Sequence, residues 1–200
     1  MKKTETKSMV LLRHHLKSLK LPTMHDECEK IAHRCAADNA DHLAYLLQLC
    51  ELELIERERR AAERRLKAAK FPNLKTLESF DFKARPSINK VLVLEWMRCE
   101  YLDKRENILL VGNTGTGKTH LGIGLGIKAA QLGHRVIFAT AAQWLTRLHA
   151  AHSQGTLTAE LAKLRRYHVL VIDICRPGGY ADLVSLRPVI TRNFSQLSLR

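Results

Sequence analysis

Residues 108–119 read ILLVGNTGTGKT, and this stretch decides the fold. Ile108, Leu109, Leu110 and Val111 form an apolar run too short for a helix, which suits a buried strand. Gly112, Gly115 and Gly117 follow, and glycines let the backbone turn tightly and aim successive N–H groups at a bound anion. Helical periodicity resumes at Lys118, so the turn empties into a helix N-terminus. The pattern GxxxxGK[ST] is complete in Gly112-Asn113-Thr114-Gly115-Thr116-Gly117-Lys118-Thr119. In such a loop the lysine, here Lys118, reaches the β- and γ-phosphates of a nucleoside triphosphate, and the hydroxyl of Thr119 meets magnesium. The residues therefore predict a site for ATP and Mg2+.

Working outward, a helix is expected over 118–132, closed by Gly133, then a strand over 135–140 and two helical stretches on either side of Gly155. Val169-Leu170-Val171-Ile172-Asp173 is a third strand whose buried aliphatics end in a carboxylate. By itself this fits any buried strand ending in a helix-capping Asp. Placed about fifty residues after a P-loop, with one strand between, it reads as a Walker B element in which Asp173 helps to hold magnesium. The expected class is α/β, a P-loop NTPase sheet of parallel strands with flanking helices.

Upstream the pattern changes. Residues 8–70 contain one proline, Pro22, and no glycine, and their apolar residues recur at helical spacing, which predicts a helical module. A long helix is expected over 41–69. Its stripe of Leu43, Leu46, Leu47, Cys50 and Leu54 predicts a buried first half before a charged, wet second half. In 57–70 seven bases (Arg57, Arg59, Arg60, Arg64, Arg65, Lys67 and Lys70) face two acids, Glu58 and Glu63, an excess that i to i+4 pairing cannot cancel. The run is either a solvated face held by its own ion pairs or a ridge that contacts phosphate. The net charge of +13 favours the second, with DNA as the polyanion. Phe71-Pro72 stops the helix, 71–86 reads as a linker carrying Phe80-Asp81-Phe82, and Ser87 is placed to cap a helix running to about 101. The domain reading is 1–70, a basic helical module; 71–86, a linker; 87–173, the ATP-binding domain; and 174–200, an atypical tail.

Other classes are disfavoured. Cys28, Cys35, Cys50, Cys99 and Cys175 are odd in number and contain no CxxC pair, and the spacing of Cys28 and Cys35 with His25 and His33 matches no usual ligand pattern. They read as reduced thiols in a cytoplasmic protein. Met1-Lys2-Lys3 is followed by a polar run rather than a signal-peptide core, and no stretch has the apolar length of a membrane span.

Four segments, FPNLKTLESFDF (71–82), RENILLVGNTGTGKTHL (105–121), GHRVIFATAAQWL (133–145) and LRRYHVLVID (164–173), resemble the IstB-like ATPases, helpers of bacterial insertion sequences related to DnaC-type helicase loaders of the AAA+ group. The resemblance covers residues 12–173. It implies an ATP-dependent protein that assembles on DNA, assists a separate transposase subunit, and forms a homo-oligomer in full-length members. A DnaC-like helicase loader is the alternative in the same class; a DNA- or partner-binding module with a vestigial P-loop is the alternative outside it. The family continues after the Walker B Asp with a Glu that positions the attacking water, then a sensor strand ending in Asn and an arginine finger. This chain has Ile174 instead. In 183–200, ten of eighteen residues are Leu, Ser or Arg, and from Ile174 onward there is no Lys and one acid, Asp182, as out-of-frame translation would give. The reading is a hydrolysis-deficient remnant with no catalytic residue assigned. Without the sensor strand, the P-loop and Walker B strands are expected to have unpaired edges.

Overall fold

Pro22 starts a helix instead of breaking one, because the first turn of a helix has no use for the N–H that proline lacks. The computed structural model describes residues 7–174 and the strand 182–188, and the chain divides into two units, Met1–Ala61 and Ala62–Arg200. The first unit contains α1 (Lys7–Ser18), α2 (Pro22–Ala37) and the first turns of α3 (His42–Ala69). Asp41 opens α3 by accepting the Ala44 N–H at 2.6 Å. Leu21, at the head of α2, has no capping side chain, and the cap comes from α3. Glu53 Oε2 accepts the N–H groups of Thr23 at 2.8 Å and Met24 at 3.2 Å. Its Oε1 receives Arg57 at 3.4 Å and Arg60 at 3.3 Å, and Arg60 also donates to the Thr23 hydroxyl at 3.2 Å. Glu53 is only 3% exposed. A carboxylate so buried is tolerable because its oxygens are satisfied and it sits at a positive helix end.

Met24, Cys28, Ile31, Cys35 and Leu49 form the core of this unit. The leucine stripe expected to be buried is not: Leu43 is 76% exposed, and Leu46, Leu47 and Leu54 are also exposed. The inward face of α3 is instead Tyr45, Leu49, Leu52 and Glu53. Leucines recur on both faces of this helix, so apolar spacing did not identify the inner one. The Glu53 cap, a polar contact, lies on it.

In the second unit, residues 71–86 include a 3-10 turn (Leu77–Ser79). One helix was expected from Ser87 to about 101; two short ones form. Asn89 caps α4 (Lys90–Trp96) by accepting the Leu92 N–H at 3.2 Å. Cys99 then turns left-handed (φ 61°) before α5 (Glu100–Asp103), a conformation that no helix interior tolerates. The α/β part follows as β1 (Ile108–Gly112), α6 (Lys118–Gln131), β2 (Val136–Thr140), α7 (Ala141–Ser153), α8 (Leu157–Leu164), β3 (Val169–Ile174) and β4 (Asp182–Pro188). Strand alternation divides the core. Phe138, Val169 and Val171 pack with Ile123, Leu125 and Ile127 of α6, while Ile137 packs with Trp144 and Leu164 of α7 and α8.

The sheet runs β1-β4-β3-β2, with β2 parallel to β3 and β4 antiparallel to both neighbours. The expectation of unpaired edges between β1 and β3 is therefore corrected. Backbone donors and acceptors there require partners, and residues 182–188 supply them, Leu186 lying opposite Ile108 and Leu183 opposite Ile174. Only residues 175–181 connect β3 to β4. A parallel crossover needs a dozen or more residues, so a connection this short returns the chain antiparallel. Of the tail from 174, the stretches 175–181 and 189–200 lie outside the described residues.

Replacing Glu53 by Ala strands two helix N–H groups and two guanidinium groups. It should destabilise the chain by about 2–4 kcal/mol, read as a lower midpoint in urea, with the loss of helix concentrated in residues 7–61.

Candidate nucleotide site

The site is assembled where β1 and β3 end and α6 begins. Gly115 (φ 79°) and Gly117 (φ 93°) both adopt left-handed conformations, and Gly117 caps α6. All eight residues of the motif, 112–119, fall on this single turn. Lys118 is 8% exposed and lies folded within the loop, its Nζ donating to the Asn113 carbonyl at 2.6 Å and to the Thr116 hydroxyl at 3.3 Å. The Thr116 hydroxyl donates to the same carbonyl at 2.8 Å. At the opposite side Thr119 Oγ1 donates to Asp173 Oδ2 at 3.0 Å. Asp173 is 5% exposed. The fold thus brings together two oxygen ligands that are 54 residues apart in the chain, a hard donor pair of the kind that suits magnesium. With the backbone donors of the loop and the cation of Lys118 beside them, the residues present fit a magnesium nucleotide.

A cavity of about 470 Å3 adjoins the loop. Gly112, Thr116 and Lys118 line its polar side, and Ile88, Leu92 and Trp96 line an apolar wall. Sequence reasoning missed this wall, and it also missed how far the linker builds the site. Phe80 packs so closely on Gly117 that a Cβ there would lie 2.7 Å from its ring. The same ring makes edge contacts with Phe82 at 4.8 Å and His120 at 5.1 Å, measured between centroids. His120 Nε2 lies 2.9 Å from the Thr76 carbonyl and 3.2 Å from the Ser79 hydroxyl. Arg85 Nη2 donates to the Gly115 carbonyl at 2.8 Å. The aromatic pair in FDF was the only visible signal of this docking.

The seven basic residues are differently employed. Arg57 and Arg60 turn to Glu53, and Arg59 turns to Glu56 at 2.8 Å. Arg65 Nε donates to the Ala130 carbonyl at 2.7 Å, closing the end of α6. Arg64, Lys67 and Lys70 are exposed, Lys70 following the last turn of α3 with φ 58°.

A parallel strand pair with a glycine-rich turn into a helix, and an acid from a neighbouring strand bonded to the threonine of that turn, defines the P-loop class of nucleotide-binding proteins. Residues 14–185 match the family described as IstB-like ATP binding protein, and the chain belongs to that family. Similar proteins include one from Geobacillus stearothermophilus, whose name assigns it to insertion sequence IS5376 and to ATP binding; it is 34% identical over 78% of this chain and 62% of its own length. A Pseudomonas aeruginosa protein named for insertion sequence IS21 and ATP binding is 34% identical over 79% of this chain and 60% of its own. One from Bacillus thuringiensis subsp. berliner, named for IS232 and ATP binding, is 30% identical, with 81% and 65% covered. The chain spans about three fifths of the length of these relatives. Among the described residues, no helix is long and apolar enough to cross a membrane.

Gly117→Ala adds a Cβ where the backbone is left-handed and the Phe80 ring already touches. The variant should stay folded but lose most of its nucleotide affinity, a result titration calorimetry with ADP would register.

Proposed function

We propose that this chain is an ATP-binding helper of insertion-sequence transposition that binds DNA, supports a transposase subunit and hydrolyses ATP poorly. The observation that carries the reading is the Thr119–Asp173 bond beside a complete P-loop in a member of the IstB-like family. The loop amides and Lys118 would hold the phosphates, Thr119 and Asp173 the magnesium, and the apolar wall of Ile88, Leu92 and Trp96 the base. Bound magnesium would neutralise phosphate charge. The poor hydrolysis follows from Ile174: a P-loop hydrolase needs a group that orients the attacking water, and the residue beside Asp173 is an aliphatic. Names of relatives that mention insertion sequences favour the transposition reading over a helicase loader. The DNA-binding part of the proposal rests on the net charge of +13 and on Arg64, Lys67 and Lys70, whose exposure leaves them open to a phosphate backbone.

At ligand a hundredfold above its dissociation constant, ATP with magnesium should stabilise the chain by about 2.7 kcal/mol, and Lys118→Ala should abolish the thermal shift. Equal shifts for variant and parent would refute the nucleotide site. Turnover by the parent should stay near background, and Ile174→Glu should raise it; an Ile174→Glu chain no faster than the parent removes the stated reason for slow hydrolysis.

Binding to duplex DNA should depend little on sequence and weaken steeply with salt, each neutralised phosphate adding about 0.9 to the log-log slope. Changing Arg64, Lys67 and Lys70 together to Gln should flatten that slope. A slope left as it was would return these residues to the role of a solvated face.

A further inference from the structure

The cavity beside the loop has an unusual charge balance. Among the described residues lining it are two cations, Lys118 and Arg85, and no carboxylate. A cleft with cations of one sign and an apolar wall draws in an anion with an apolar end. Lys118 belongs to the loop motif; Arg85 comes from the linker.

Arg85 is anchored for reach. Its N–H donates to the Phe82 carbonyl at 3.2 Å, and its own carbonyl accepts the Ile88 N–H at 3.1 Å, so the side chain leaves an ordered turn. From there the guanidinium spans to the tip of the loop and donates to the carbonyl of Gly115 at 2.8 Å. Ile88, three residues on, is part of the apolar wall. A nucleotide with phosphates in the loop and base on that wall therefore passes the guanidinium. The Gly115 carbonyl is a neutral acceptor, whereas a phosphate oxygen is charged, and charge-assisted hydrogen bonds are about twice as strong as neutral ones. Five N–H donors in a planar fork suit Arg to phosphate better than Lys, which offers a point charge.

We propose that Arg85 is a phosphate-contacting residue of the nucleotide site, exchanging the Gly115 carbonyl for the polyphosphate of a nucleoside di- or triphosphate and so closing the linker over the loop. The proposal rests on the nucleotide reading above and adds to it a binding residue outside the P-loop. Because both di- and triphosphates present such oxygens, the contact is shared by ADP and ATP.

The test is calorimetric titration of the parent chain, Arg85→Gln, Arg85→Lys and Lys118→Ala with ADP, inorganic pyrophosphate and adenosine, after checking that the unliganded melting temperatures agree. Arg85→Gln should weaken ADP and pyrophosphate by about tenfold, the scale of one hydrogen bond to a charged group. Adenosine should bind it as it binds the parent, and Arg85→Lys should recover part of the loss. ADP and pyrophosphate affinities unchanged in Arg85→Gln, with Lys118→Ala inactive, overturn this proposal alone. Adenosine weakened as much as ADP also overturns it, since Arg85 would then shape the wall and not meet phosphate. A parent chain that binds none of the three probes overturns the nucleotide reading and this proposal together.

Discussion

A buried carboxylate sets the terms for this molecule. Asp173 stands at the end of β3 with 5% of its surface exposed, among strand residues that are fully buried, and an acid in such a place must have a partner. The Thr119 hydroxyl provides it at 3.0 Å. That bond ties the end of β3 to the first turn of α6, and α6 in turn fixes the glycine-rich loop ahead of it. The layers on both faces of the sheet serve this registration: Val169 and Val171 lock β3 against α6, and Leu170 and Ile172 lean on the α7–α8 side.

The linker then completes what the motif begins. Phe80 stacks on the one loop position without room for a side chain, His120 reaches back to Thr76 and Ser79, and Arg85 holds the loop tip. None of these residues belongs to the phosphate-binding pattern. They make the shape of the loop depend on a segment some thirty residues earlier in the chain, which is why a P-loop sequence carries less information than a P-loop structure.

How much could be read beforehand follows from how local each cause is. The loop, its strand and its helix were legible because glycine geometry and apolar runs act over a few residues, and the β2 and β3 strands were legible for the same reason. Asp173 was legible as a magnesium ligand only in combination with the loop. The inner face of α3 was not, because Leu43, Leu46, Leu47 and Leu54 match the helical period as well as Leu49 and Leu52 do, and the choice between faces rests on Glu53 capping a different helix. Ser87 and Asn89 are both good caps; the turn through Arg85 and Ile88 decides in favour of the second. The filling of the slot between β1 and β3 was illegible for a different reason. An unusual composition says nothing about hydrogen-bonding capacity, and any seven extended residues can satisfy a ladder.

Three glycines, Gly122, Gly124 and Gly126, lie inside α6, where each lowers helix stability by about 0.5–1 kcal/mol relative to alanine. The space they leave is occupied by other parts of the chain. A Cβ on Gly124 would lie 2.6 Å from Leu77, and one on Gly126 would lie 2.9 Å from Phe71. Leu77 and Phe71 thus act as the side chains that α6 lacks, lent by the linker from outside the helix. Positions 77 and 124, like 71 and 126, therefore share a single allotment of volume: over evolutionary time, a member of either pair can grow only as its counterpart shrinks.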